Sequence, residues 1–131
     1  MSKRVLVVDD EHIIADTLAA ILRMSGYEAN VAYDGESALA QCEACQPDLV
    51  ISDVVMPGMS GVDLAVSIQQ RYSGCKILLF SGQAATADIL DQARKRGYSF
   101  DVLAKPIHPE DLLSKLVPSA ESRTNHSKLN T

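Results

Sequence analysis

Five positions carry side chains that could do chemistry together: Asp9, Asp10, Asp53, Ser81 and Lys105. Each closes a short apolar run. Val5–Val8 leads into Asp9-Asp10, Leu49–Ile51 precedes Ser52-Asp53, Ile77–Phe80 precedes Ser81, and Phe100–Ala104 precedes Lys105. Three carboxylates at one place raise one another's pKa and cannot all stay ionised without cations. A hard divalent ion relieves that repulsion, and Mg²⁺ takes oxygen ligands, keeps several waters and needs only one or two carboxylates plus a phosphate. With an ion and Lys105 holding Asp53 ionised, its carboxylate could attack a phosphoryl group to give an acyl phosphate. The ion, Lys105 and Ser81 would then neutralise the oxygens of the transferred group. A single Asp at a strand end serves equally well as a cap or turn residue, so the inference rests on all five positions standing at the correct ends.

Those ends have to be brought together by the intervening elements. The runs at residues 5–8, 49–51 and 77–80 are continuous rather than alternating, as strands covered on both faces require. Two weaker strands fit at Glu28–Ala32 and Phe100–Ala104. Five helical patterns lie between and after them. Ile14, Leu18, Ile21 and Leu22 form the first stripe, closed by Gly26. The second covers Glu36–Cys45 and must stop by Gln46, because Pro47 disfavours helix in the residue before it. Ser60 with Asp63 opens the third, which turns Leu64, Ala65, Ile68 and Tyr72 inward. The fourth spans Ala85–Arg96 and ends at Gly97. The fifth starts at Pro109 and buries Leu112, Leu113 and Leu116. Strand–helix repeated five times predicts an α/β fold, a doubly wound parallel (βα)5 sheet with right-handed crossovers; the flavodoxin-like strand order 2-1-3-4-5, one of the two common forms of such a sheet, is the one expected here. Ligands then bind beyond the carboxyl ends of the strands, where the five residues stand.

Composition narrows the function classes. The 131 residues include 12 Lys+Arg and 17 Asp+Glu, a net charge of −5, and the pI near 5.0 excludes a domain-wide basic footprint for nucleic acid. No apolar run approaches the roughly 18 residues of a membrane span. Three cysteines, an odd number, argue against a disulfide framework and for a reducing compartment, so the cytoplasm is the expected location. The length suits one domain over residues 1–117. Residues 118–131 hold one Leu and no aromatic, too little apolar surface to offset ordering, and are expected to form a disordered tail or the start of a linker.

The chain resembles the receiver domains of bacterial two-component response regulators over residues 3–116. The resemblance is carried by Val-Leu-Val-Val-Asp9-Asp10-Glu11, Asp53-Val-Val-Met-Pro57-Gly58-Met-Ser-Gly61, Phe80-Ser81-Gly82 and Lys105-Pro106. It implies that Asp53 is the phospho-acceptor and that Asp9, Asp10, Asp53 and the Val55 carbonyl hold Mg²⁺ or Mn²⁺, Asp10 directly and Asp9 through water. It also implies that Ser81 moves to contact the phosphoryl group, that Lys105 is its counter-ion and that the Lys105–Pro106 peptide is cis. The implied donor is a phosphohistidine on a sensor histidine kinase or a histidine phosphotransfer protein. The output would pass to a protein target through the face formed by the fourth helix, fifth strand and fifth helix, without direct nucleic-acid binding or membrane contact. Such a chain is a phospho-accepting regulatory domain rather than an enzyme. It would act as a stand-alone receiver or relay intermediate, or as a receiver cut from a longer transcription factor or hybrid kinase.

Two departures matter. Receivers often carry Tyr or Phe three residues before the lysine, where this chain has Val102, so a rotating aromatic there is excluded. Phe100 is expected to pack in the core or at the sheet edge. The last helix also lacks the Arg that one dimerising transcriptional subfamily uses. Val55 and Gln83 follow Asp53 and Ser81 by two residues, and an apolar Val55 is expected to shield the acyl phosphate from water. Cys42-Glu-Ala-Cys45 ends the second helix, where the dipole has the wrong sign to activate a thiol, so these are expected to be buried or half-buried structural cysteines. His12, His108 and His126 are expected at solvated positions, and Arg94-Lys95-Arg96 complements a helix terminus. An FMN carrier would need a phosphate loop where Asp9-Asp10-Glu11 stands. An aspartate phosphatase wants Asp-x-Asp, and position 11 is Glu. A receiver-shaped adaptor that is never phosphorylated is disfavoured by the intact Asp53, Ser81 and Lys105.

Overall fold

The computed structural model describes residues 3–82, 86–105 and 107–116. Ten elements alternate along the chain: β1 (Arg4–Val8), α1 (His12–Met24), β2 (Glu28–Ala32), α2 (Gly35–Cys45), β3 (Leu49–Asp53), α3 (Gly61–Arg71), β4 (Lys76–Ser81), α4 (Thr86–Lys95), β5 (Asp101–Ala104) and α5 (Pro109–Leu116). The strands form one sheet in the order β2-β1-β3-β4-β5, parallel throughout, as the alternation predicts. The central strands read as continuous apolar runs because both faces are covered. One face packs Leu6, Val8, Val50 and Leu79 with Leu64 and Ile68 of α3. The other packs Val5, Val7, Ile51 and Phe80 with Leu18 and Leu22 of α1 and Leu112 of α5.

Local chemistry sets the helix limits. The Asp34 side chain accepts from the Ser37 amide at the start of α2, and the Ser60 hydroxyl accepts from the Asp63 amide at the start of α3. Each satisfies a donor that the first turn leaves free. Ahead of Pro47, α2 ends with Gln46 in the left-handed region at φ 46°. Gly26 adopts φ 97° after α1, where any side chain would be strained. The fifth strand begins at Asp101, one residue later than expected. Phe100 lies just outside it, half-buried against the core and stacked on Tyr98, so the expected packing role holds. The fourth helix is described from Thr86. Gln83, Pro106 and residues 117–131 fall outside the described residues, and with them the expected cis peptide, the Gln83 rim position, His126 and the tail.

Gly61 needs its missing side chain. It opens α3 against the end of β3, where a Cβ would run into the Asp53 carbonyl oxygen and come within 2.9 Å of the Val54 Cα. Both obstacles are backbone atoms, at the end of β3 and just beyond it, and cannot rotate away. Gly61→Ala is therefore expected to destabilise the protein by about 2 kcal/mol, in the range typical of overpacking. Urea unfolding would measure it, and a loss below about 0.5 kcal/mol would show that α3 can slide off the strand.

Candidate functional site

The sheet order makes the tips of β1, β3, β4 and β5 neighbours. Asp53 pairs with Phe80 and Ser81 with Ala104, so Asp53 and Ser81 stand on adjacent strand ends and Lys105 follows directly beyond. Asp9 and Asp10 leave β1 beside them. Oxygens of Asp9, Asp10 and Asp53 lie within 4.8 Å of one another, with Asp9 and Asp53 buried and Asp10 the most open of the three. Lys105 Nζ donates to Asp53 Oδ2 at 3.3 Å. It also stands 4.0 Å from both Asp9 Oδ2 and Glu11 Oε1. Beneath it the Phe80 ring centroid is 5.3 Å from Nζ, and this buried ring helps to aim the ammonium. Ser81 is 8 % exposed, and its carbonyl accepts from the Lys105 amide at 2.9 Å. All five expected side chains are therefore gathered at one end of the sheet.

Electrostatics follow from burial. Asp9 Oδ1 accepts from the Glu11 amide at 2.9 Å, but the buried Oδ2 has no hydrogen-bond partner. Burial, the largest influence, pushes the Asp9 carboxyl up to about 6. The Glu11 amide opposes it, Asp53 and Asp10 add to it, and Lys105 opposes it. Burial likewise raises Asp53 above the ordinary carboxylate range, against the pull of Lys105 and of the Val55 amide. An orphaned carboxylate oxygen facing two further carboxylates is a set of hard oxygen donors, which fits a hard divalent cation.

A pH dependence follows. With its folded pKa above the unfolded value, Asp9 holds its proton more tightly in the folded state. The stability this contributes is complete below the ordinary carboxylate pKa of about 4 and is lost as the pH rises through about 6. Metal-free protein is expected to gain about 1 kcal/mol from Asp9 on going from pH 7 to pH 5. Urea unfolding in chelator at the two pH values checks this. Asp9→Asn should remove the Asp9 share of the gain and leave that of Asp53, which burial also raises, and a wild type no more pH-sensitive than that variant would contradict the assignment.

His12 is exposed and stacks on Tyr33 at 3.6 Å between ring centroids, with the Tyr33 hydroxyl donating to Asp16 at 2.7 Å. This aromatic contact had no signal in the sequence, because the two residues lie on separate elements. Cys42 is buried as expected but Cys45, the last residue of α2, is exposed. Burial raises the Cys42 thiol and pushes the Cys75 thiol up to about 12, which suits inert core thiols. Arg94 and Lys95 pair with Asp91 at 3.8 and 3.4 Å, and the Arg96 guanidinium sits 6.0 Å from the Tyr98 ring centroid. No helix among the described residues is long and apolar enough to cross a membrane.

The fold and the site together define a class, a doubly wound parallel α/β domain with a carboxylate cluster and a lysine at the carboxyl ends of its strands. The comparisons with known proteins are narrower. The response regulator receiver domain family matches residues 5–117. The DNA-binding response regulator MtrA of Mycobacterium tuberculosis is 32% identical over 116 residues, which cover 88% of this chain and 50% of MtrA. Among solved structures, the Vibrio cholerae chemotaxis protein CheY4 is 35% identical with a TM-score of 0.77, covering 88% of this chain and 97% of that one. The response regulator TrrA of Thermotoga maritima, solved in complex with Mg²⁺–BeF, is 33% identical with a TM-score of 0.76, covering 87% and 96%. The chain belongs to the receiver domains of two-component response regulators, a regulatory domain that works as a phosphorylation-operated switch. It spans about half the length of the curated relatives it matches.

Proposed function

We propose that residues 1–117 form a receiver in which Asp53 accepts a phosphoryl group from the phosphohistidine of a sensor histidine kinase or histidine phosphotransfer protein. The observation that carries this reading is the Lys105 ammonium 3.3 Å from Asp53 Oδ2, in a pocket with two further carboxylates and Ser81. Asp9, Asp10, Asp53 and the Val55 carbonyl would hold Mg²⁺ or Mn²⁺. That ion, when bound, supplies positive charge against the phosphoryl oxygens and between the carboxylates. An Asp53 carboxylate oxygen attacks phosphorus, the P–N bond of the donor breaks, and its electron pair stays on the imidazole. Lys105 exchanges part of its contact with Asp53 for the incoming phosphoryl oxygens, so it neutralises charge both before and after transfer. The Ser81 hydroxyl donates to the same group.

The approach to Lys105 is flanked by a groove of about 540 Å³ lined by Ile13, Ile14, Ile21 and Ile107. Ile13 is 82 % exposed there, and an apolar rim of this kind favours a protein donor over a small phosphate ester. Output through the α4–β5–α5 face to a partner protein is supported by the chain path, because β5 is the edge strand and runs straight into Lys105. The cell location that goes with such partners is the cytoplasm. The match to half of a DNA-binding regulator favours a second reading, in which this receiver controls a DNA-binding partner domain in the same polypeptide; the complete gene sequence distinguishes the two.

Incubation with acetyl phosphate and Mg²⁺, followed by borohydride reduction and peptide mapping, tests the reading. A single reduced acyl phosphate at residue 53, absent in chelator, is expected. An adduct elsewhere, or none, would overturn it. Val55 is 41 % exposed at the rim and, as an apolar cover, keeps water from the acyl phosphate. Val55→Asn is expected to shorten its lifetime severalfold, and an unchanged dephosphorylation rate would remove that role.

A further inference from the structure

Ser52 is the residue in β3 that its surroundings least explain. Alternation puts its side chain on the same face as Val50, in a layer whose buried cluster is otherwise apolar, and it is 1 % exposed. A hydroxyl there is costly unless it is hydrogen-bonded, whereas Val or Ala would fill the space without that requirement. Its bond is to one atom: the Ser52 Oγ donates to the carbonyl oxygen of Asp53 at 2.9 Å.

That carbonyl belongs to the first of two consecutive peptide units held from several sides. The Asp53–Val54 unit is gripped at its oxygen by Ser52. At its nitrogen, the Val54 amide donates to the Phe80 carbonyl at 3.0 Å. The next unit is gripped by Gly61, whose amide donates to the Val54 carbonyl at 2.8 Å. The chain then reaches Val55, whose amide bonds back to the Asp53 carboxylate. The direction of the Asp53 carboxylate and the orientation of the loop as it reaches Val55 both depend on how the first of these units is turned.

We propose that Ser52 is a positioning residue for the acidic pocket: its hydroxyl fixes the Asp53–Val54 peptide and so presets the Asp53 carboxylate and the Val55 carbonyl for a divalent cation. This rests on the reading of Asp9, Asp10, Asp53 and Val55 as the metal-holding set. Without the hydroxyl, the Asp53 carbonyl loses a buried donor and the peptide can rock, so cation binding has to restore an order that the wild type already has. The side chain touches neither the cation nor the phosphoryl group and acts only through the backbone.

Isothermal titration with Mg²⁺ alone, on wild type, Ser52→Ala, Ser52→Thr and Ile68→Val, separates positioning from general loosening. Ser52→Ala is expected to weaken Mg²⁺ binding about three- to tenfold, the effect of one hydrogen bond. Ser52→Thr, which keeps the hydroxyl, should recover most of that loss. Ile68→Val removes a buried methyl group from α3, far from the pocket, and should lower the melting temperature while leaving Mg²⁺ affinity unchanged. Wild-type affinity in Ser52→Ala would overturn the inference, and so would an equal loss in Ile68→Val. No Mg²⁺ binding by the wild type would overturn the reading of the pocket itself, and this inference with it.

Discussion

Asp53→Asn is expected to give a protein that takes no phosphoryl group and yet, without metal, melts a few degrees higher than the wild type. Both results come from the same burial. The Asp53 carboxylate stands above the ordinary range because desolvation outweighs the pull of Lys105. The folded state therefore disfavours the charge on this group. An amide of the same shape removes that charge and the repulsion with Asp9 and Asp10, while Lys105 keeps Asp9 and Glu11 within 4.0 Å. A gain of a few degrees is what a modest free-energy change produces in a domain of this size. The amide is a poor nucleophile, so the acceptor is lost at the same time. Neither remaining carboxylate replaces it, since Lys105 donates to Asp53 and only approaches Asp9. Intact mass after acetyl phosphate treatment and a thermal melt in chelator check the two halves. A variant that is still phosphorylated, or that melts below the wild type, would contradict this account.

Lys105→Ala carries the other large effect. The ammonium is the cation closest to Asp53 among the described residues and is itself three-quarters covered, so water replaces it poorly. Removing one preorganised charge partner of a developing oxyanion costs about 10²- to 10³-fold in rate. Phosphorylation by acetyl phosphate is expected to slow by at least about 10²-fold at saturating Mg²⁺. Lys105→Arg should recover only part of it, because a planar guanidinium is larger than the ammonium that fits between Asp53 and the Phe80 ring. Initial rates followed by intact mass decide the point, and an alanine variant within threefold of wild type would show that Lys105 is a structural counter-ion only.

The contrast between Asp53 and Ser52 shows how much of the site was legible beforehand. Asp9 and Lys105 directly follow apolar residues and Asp53 follows an apolar run after a single serine, and a charged residue there stands out because burial penalises it. Ser52 sits one residue earlier and reads as an ordinary small strand residue until the structure shows which atom its hydroxyl meets. Gly61 was visible as part of a motif, but its reason, the backbone of Asp53 and Val54 pressed against it, is a contact across a loop. The stacking of His12 on Tyr33 and the outward turn of Cys45 were equally out of reach, because side-chain direction depends on neighbours from other elements.

What the amino-acid sequence determined by itself was the alternation of five strands and five helices, their parallel pairing and the set of five side chains at the strand ends. Those follow from periodicity, capping and the handedness of parallel crossovers, which are local rules or nearly so. Only the tertiary structure decided that Lys105 stands closest to Asp53, at 3.3 Å, with Asp9 and Glu11 at 4.0 Å, and that one buried oxygen of Asp9 is left without a hydrogen bond. Distances between residues about fifty to a hundred positions apart are set by how the two apolar layers close on the sheet, and no local pattern encodes them.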